Sequence, residues 1–174
     1  MARTHARSKC GERACASVPS KKQKSTNLIG AISLEGVIAD FCVDGGITGE
    51  VFTVFLEKVL CPVLKVGQIV LMDNSPAHIV KKVKELIEGR GAKLIYLPPY
   101  SPEFNPIEHC WSKVKSHLRR LEPWDKEKLN SSVRKALKAV TTNDARAWFE
   151  HCGYSNHPLM EGCYPKYLLK YSQL

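Results

Sequence analysis

The sequence predicts an α/β fold, and three observations carry that prediction. Strand-like apolar runs alternate with segments at helical spacing along most of the chain. Two of those runs, Ile69-Val70-Leu71-Met72 and Leu94-Ile95-Tyr96-Leu97, flank a helical stretch, which makes a strand–helix–strand unit with parallel strands. The bulk figures fit one domain with one substantial core: 174 residues, 44% hydrophobic and 25% charged.

The elements follow in order. Residues 26–33, centred on Leu28-Ile29-Gly30-Ala31-Ile32, read as a strand. Leu34-Glu35-Gly36 is a turn, and residues 37–43 return as a second strand, so the two form a hairpin that Gly45-Gly46 ends. Residues 50–60 have helical spacing, with Val51, Phe52, Phe55, Leu56, Val59 and Leu60 on one face, and Pro62 ends or kinks that helix. Ile69–Met72 is a continuous apolar run of the kind covered on both faces. After Asp73-Asn74-Ser75-Pro76 a helix is predicted over residues 77–88, with Ile79, Val83, Leu86 and Ile87 inward, closed by Gly89 and Gly91. The run from Leu94 to Leu97 reads as a second buried strand. A rigid Pro-rich loop, residues 98–106, leads into a helix from Ile107 with Trp111, Val114, Leu118 and Leu121 on its apolar face. Further helices are predicted over residues 126–140 and 144–152. The last twenty residues, with Pro158 and Pro165, read as coil or a docking tail. The organisation expected is a basic N-terminal segment (1–25), one domain (26–155) and a C-terminal tail (156–174).

Charge narrows the function classes. The formal net charge is +9, which favours anionic partners, nucleic acid first. Within the first 25 residues Arg3, Arg7, Lys9, Arg13, Lys21, Lys22 and Lys24 face a single acid, Glu12. That segment lacks hydrophobic periodicity and is expected to be mobile in isolation; a transit peptide is the competing reading. No apolar stretch approaches the roughly 18 residues of a membrane span, so no membrane partner is expected. The seven cysteines are scattered and none form C-x-x-C, which points to free thiols in a reducing, intracellular compartment. His109-Cys110 and His151-Cys152 are poor zinc chelates, because adjacent residues on a helix point to different faces.

Two carboxylates carry the candidate chemistry. Asp73 ends a strand, where ligands gather in an open α/β sheet, and a carboxylate there holds a divalent cation through oxygen. A turn or cap role is the simpler alternative for an Asp at this place. Glu108 lies 35 positions further on and opens the helix after the Pro-rich loop. The helix dipole alone would favour an acid there. Because the loop starts where the neighbouring strand ends, the two acids are expected to meet on one edge of the sheet.

The words around those acids are distinctive: Asp73-Asn74, His78, Leu97-Pro98-Pro99-Tyr100-Ser101-Pro102, Asn105-Pro106-Ile107-Glu108 and Trp111 with Lys113 and Lys115. Together they resemble the DDE endonuclease domain of mariner-like bacterial insertion-sequence transposases, over roughly residues 10–155. The resemblance implies an RNase H-like mixed sheet flanked by helices. It implies three carboxylates holding two Mg²⁺ or Mn²⁺ ions for in-line phosphoryl displacement on DNA. Asp73 matches the second acid and Glu108 the third, with Asn74 and His78 as supporting neighbours. The first acid belongs to the first, central strand of that family's sheet, and no Asp precedes Asp40 here. The expectation is therefore a sheet lacking its first, central strand. Asp40 and Asp44 lie on a strand toward the sheet edge and do not replace the missing acid. Lys113, Lys115, Arg119 and Arg120, on the helix that carries Glu108, are the expected phosphate contacts, with a solvated helix face as the alternative.

The functional expectation is the C-terminal part of a DDE transposase catalytic domain, incompetent alone. The alternative is a decayed or domesticated, non-catalytic DNA-binding fragment. DNA at transposon ends and targets, an upstream transposase fragment and a second copy of the chain are the expected partners.

Overall fold

The computed structural model describes residues 7–13, 15, 25–121 and 125–154, and the backbone of 165–173. The expected mobility of residues 1–25 lies mostly outside the described residues.

β1 (Thr26–Ser33) and β2 (Gly36–Asp44) form the predicted antiparallel hairpin, with a bulge between Ala31 and Ile32. α1 (Gly49–Phe55) starts at Thr48, whose hydroxyl accepts from Val51 N, and runs on as a π-helical turn, Leu56–Leu60. β3 (Ile69–Met72), α2 (Lys81–Glu88) and β4 (Lys93–Tyr96) are the parallel strand–helix–strand unit. α3 (Ile107–Leu121), α4 (Lys126–Lys138) and α5 (Thr142–His151) follow, and β5 (Pro165–Gln173) is the last described element. The sheet order is β2-β1-β5-β3-β4. β5 runs antiparallel to β1 and parallel to β3.

Strand alternation divides the core into two layers. Ile29, Ala31, Val70 and Met72 face one side and pack with Phe52, Phe55, Leu56, Leu60, Val83 and Ile87 of α1 and α2. Leu28, Ile32 and Leu71 face the other and pack with Ile107, Trp111, Val114 and Leu118 of α3, Val133 of α4 and Phe149 of α5. With both faces covered, all eight residues of β1 are buried.

Four expectations change. The expected gap at the sheet centre is closed: β5 lies between β1 and β3, so residues read as a coil or docking tail include a paired strand. α2 begins at Lys81 rather than at Ala77, and Ile79 is 58% exposed instead of inward. The cause is a turn at residues 75–78, closed by His78 N donating to Ser75 O at 2.8 Å, which uses the backbone groups a helix would need. β4 is an edge strand with alternating exposed and half-buried residues, not a strand buried on both faces. Leu121, at the end of α3, is 45% exposed, whereas Cys110 joins the buried face.

One glycine is dictated by packing. A Cβ built at Gly30 would stand 2.7 Å from Cη2 of the buried Trp111 ring, closer than van der Waals contact permits. We expect Gly30→Ala to cost about 1–3 kcal/mol, although alanine suits a strand better than glycine does. Urea denaturation measures this, and a midpoint equal to or above that of the parent contradicts the close approach.

Candidate functional site

Parallel pairing brings the ends of β3 and β4 to one edge. Met72 pairs with Tyr96, and one step further Leu97 N donates to Met72 O at 2.8 Å. Asp73 is the first residue beyond β3. Asn74 then ties the two exits together, its Nδ2 donating to Leu97 O at 2.6 Å.

Asp73 is held rather than loose. Ser75 N donates to Asp73 Oδ1 at 3.1 Å, and His78 Nδ1 stands 2.7 Å from the same oxygen. His78 is fully buried, its ring 4.2 Å from the centre of the Phe52 ring, and its carbonyl accepts from the Tyr96 hydroxyl at 2.7 Å. A buried imidazole braced by α1 and β4 thus fixes the direction of a carboxylate that keeps 27% of its surface exposed. The helix N-terminus expected directly behind Asp73 is absent, since α2 starts at Lys81; a short turn takes its place.

A cavity of about 330 Å³ opens at this edge, lined by Asp73, Asn74, Ser75, the loop from Leu97 to Pro102, and Asn105. Glu108 is not among its lining residues. It sits half-buried in the first turn of α3, and its N–H donates to Asn105 O at 3.1 Å. The wall of the cavity and the turn bearing Glu108 are therefore one continuous piece of backbone.

Two residues that sequence reasoning left unweighed belong to this cavity. Asn105 is 1% exposed, and its Oδ1 has no hydrogen-bond partner among the described residues. Tyr100 is fully exposed at φ 57°, a left-handed backbone that a non-glycine residue adopts at a cost. The signal was present in the loop, where prolines at 98, 99, 102 and 106 restrict the backbone around both residues.

Asp40 does not reach the cavity. It pairs with Gly30 from the edge strand β2, which lies three strand spacings from β3, about 14 Å. Burial pushes its carboxyl up, against the pull of Arg134. Asp44 forms an ion pair with Lys126.

The four basic residues of α3 separate. Lys113 and Arg120 line a groove of about 500 Å³ with His109, Ser116, His117 and Trp148. Lys115 and Arg119 are half-buried and do not line it. Lys113 is engaged by Asp144 at 2.5 Å, a link from α3 to α5. Asp144 also accepts from Thr141 N at 2.7 Å, completing the cap of α5.

A divalent cation of the Mg²⁺ or Mn²⁺ type needs oxygen donors. The carboxylates of Asp73 and Glu108 and the unpartnered Oδ1 of Asn105 are of that kind. Their number falls short, since no group of three His, Cys, Asp or Glu side chains gathers among the described residues. Among those residues, too, no helix is long and apolar enough to cross a membrane.

A family model described as DDE superfamily endonuclease matches residues 1–130. The Tcb2 transposable-element transposase of Caenorhabditis briggsae is 45% identical over 47 residues, 27% of this chain and 17% of that protein. The Tc1 transposase of Caenorhabditis elegans is 28% identical over 74 residues, 42% of this chain and 27% of that one. These curated relatives are nematode transposases rather than the bacterial insertion-sequence enzymes expected. The Mos1 strand transfer complex superposes with a TM-score of 0.67 at 19% identity, over 93% of this chain and 50% of that one. The Mos1 mariner paired end complex with Mn gives 0.64 at 18% identity, over 91% and 51%. At such identities the likeness speaks for the fold, a mixed sheet with helices like that of the Mos1 transposase. The chain spans 17% and 27% of the two curated relatives and about half of these solved chains.

The Lys113–Asp144 link has a pH signature. The Lys113 ammonium, then the Thr141 backbone and hydroxyl, hold the Asp144 carboxyl down at about 2 from an ordinary 3.8. A depressed folded value means the contribution is present above 3.8 and is lost as pH falls toward about 2. Asp144→Asn is expected to flatten that acid limb. Denaturant midpoints between pH 5 and about pH 2 read it, and equal slopes in parent and variant contradict the assignment.

Proposed function

The chain belongs to the DDE superfamily endonucleases, and from that premise we propose that it is the larger, C-terminal part of a transposase catalytic domain. The observation that carries this reading is the setting of Asp73. A partly exposed carboxylate stands at the end of a parallel strand, aimed by a buried histidine, on a cavity whose far wall runs directly into Glu108.

In this reading Asp73 and Glu108 are the second and third acids of the family. When bound, the divalent cations supply activation of the attacking hydroxyl and stabilisation of the leaving oxygen. The residues of this chain act around that chemistry. Asp73 and Glu108 offer carboxylate oxygens from two elements. His78 and Ser75 fix the orientation of Asp73, and Asn74 keeps the two strand exits from parting. Lys115, Arg119 and Arg120 meet DNA phosphates, giving sequence-independent, salt-sensitive attraction. Lys113 contributes less than its charge suggests, because Asp144 already neutralises it.

DNA at transposon ends and at the target is the proposed substrate, with Mg²⁺ or Mn²⁺ as the cofactor. A segment carrying the family's first acid is the proposed partner, and a second copy of the chain would serve the joining of two ends. A non-catalytic DNA-binding fragment is the second reading, favoured by the shortfall of acids among the described residues.

Nicking of supercoiled DNA that carries transposon ends separates the two. The 174-residue chain with Mg²⁺ or Mn²⁺ is expected to leave the DNA intact. Joined to an acid-bearing upstream strand, it is expected to nick, and Asp73→Asn or Glu108→Gln then reduces nicking by about 10²–10³-fold or more. Robust nicking by the chain alone, or a joined protein indifferent to Asp73→Asn, overturns the proposed assignment.

A further inference from the structure

Two short words of the sequence play no part in the cavity beside Asp73: His109-Cys110 and His151-Cys152. Within each word the neighbours have different surroundings. Cys110 and Cys152 are buried, while His109 is half-buried and His151 is exposed. Neither word chelates by itself. Between the words the situation differs. The imidazoles of His109 and His151 meet, with ring centres 5.0 Å apart and planes at 87°.

Helix packing puts them there. His109 and Lys113 lie one turn apart on α3 and share a face. Asp144, Trp148 and His151 fall at i, i+4 and i+7 on α5 and share a face as well. Lys113 meets Asp144 at 2.5 Å and His109 meets His151, so the two helices run past each other in opposite directions. Just beyond α5 the Tyr154 hydroxyl donates to Phe104 O at 2.8 Å, which holds that end of the helix against the loop before α3. The imidazole pair is thus bracketed by an ion pair on one side and a hydrogen bond on the other.

An imidazole pair so placed is a ligand set. Two imidazoles that share a tetrahedral ion, at nitrogen–metal distances of about 2.0–2.1 Å, hold their ring centres roughly 5 Å apart. The nearly perpendicular planes also keep the rings from stacking face to face and shutting an ion out. Chemistry selects the ion: imidazole nitrogen suits zinc, nickel and copper, whereas magnesium and manganese prefer carboxylate, carbonyl and water oxygen. No third His, Cys, Asp or Glu joins the pair among the described residues. Water would complete the coordination from the exposed side of His151, which makes the site an exchangeable one.

We propose that His109 and His151 form a two-imidazole site for a transition-metal cation of the Zn²⁺ type, and that the bound ion fastens α5 to the first turn of α3. The site differs from the acid-bearing edge in its ligands and does not rest on the reading of Asp73 and Glu108. An ion that bridges two helices binds the folded chain better than the unfolded one, and so stabilises it.

The test uses the full chain with Ni²⁺ as the probe, read by titration calorimetry and by the melting temperature. Ni²⁺ is expected to raise the melting temperature of the parent, and Mg²⁺ at the same concentration is not. His109→Ala and His151→Ala are each expected to weaken Ni²⁺ binding at least about tenfold. The double variant should fall little further, because a chelate needs both nitrogens. His117→Ala, further along α3, and Asp73→Asn should leave binding unchanged. Circular dichroism establishes that each variant is folded, and the exposed position of His151 guards against loss of the fold at His109. Co²⁺ serves as a second probe, since thiolate ligation adds an intense charge-transfer band that imidazole ligation lacks. The absence of any Ni²⁺ effect on the parent, or an effect that survives the double variant, overturns the site. An effect lost with only one of the two histidines overturns the pairing. A loss with Asp73→Asn equal to that with His109→Ala puts the ion at the acid-bearing edge, and a thiolate band puts it on cysteine; either overturns the proposal.

Discussion

The register between β3 and β4 governs the acid-bearing edge. Parallel strands release their chains on the same side of the sheet, and the bond from Leu97 N to Met72 O extends the ladder one step past the last paired residues. What leaves β3 is Asp73, and what leaves β4 is the loop that ends at Glu108. Two opposed cores lock this register. Val70 and Met72 are committed to the layer of α1 and α2, and Leu71 to the layer of α3. A slip of one residue would turn all three to the wrong face. The position of the carboxylate is thus secured by apolar packing that takes no part in its chemistry.

Patterns that depend on neighbours in sequence were legible beforehand. The hairpin, the strand–helix–strand unit and the apolar stripe of α3 appear where spacing and turn residues placed them. Asp73, Asn74 and Glu108 stood out because their surrounding words are distinctive. Features that depend on neighbours in space were not legible. Nothing within Lys93–Tyr96 announces that no strand lies beyond it. The helix starting at Lys81 was misplaced because Asp73, Ser75 and His78 satisfy one another in a turn. Lys113 resembled its basic neighbours until Asp144, 31 positions away, claimed it. β5 was the hardest case. Its two lysines and its proline argue against a central strand, and the edges that hold it belong to residues far earlier in the chain, in β1 and β3.

The ion pairs differ in weight. Lys81–Glu85 and Lys84–Glu88, on the exposed side of α2, are separations of 3.6 and 3.8 Å between well-solvated groups, and such pairs contribute little. Lys113–Asp144 is shorter and half-buried, and its carboxylate also caps α5. That pair ties α5 to α3 beside the groove that His117 and Arg120 line.

Most α/β sheets are strongest along their middle, where strands are buried on both faces and paired on both sides. Here the middle strand is the last described in the chain and the most polar of the inner three. Among the described strands the two halves of the sheet are hydrogen-bonded to each other only through that strand, whereas the apolar layers on both faces draw on β1 and β3 alike. Backbone pairing across the sheet thus falls to a strand with two lysines in its sequence, and the cohesion of the two sides falls to the apolar layers that cross it.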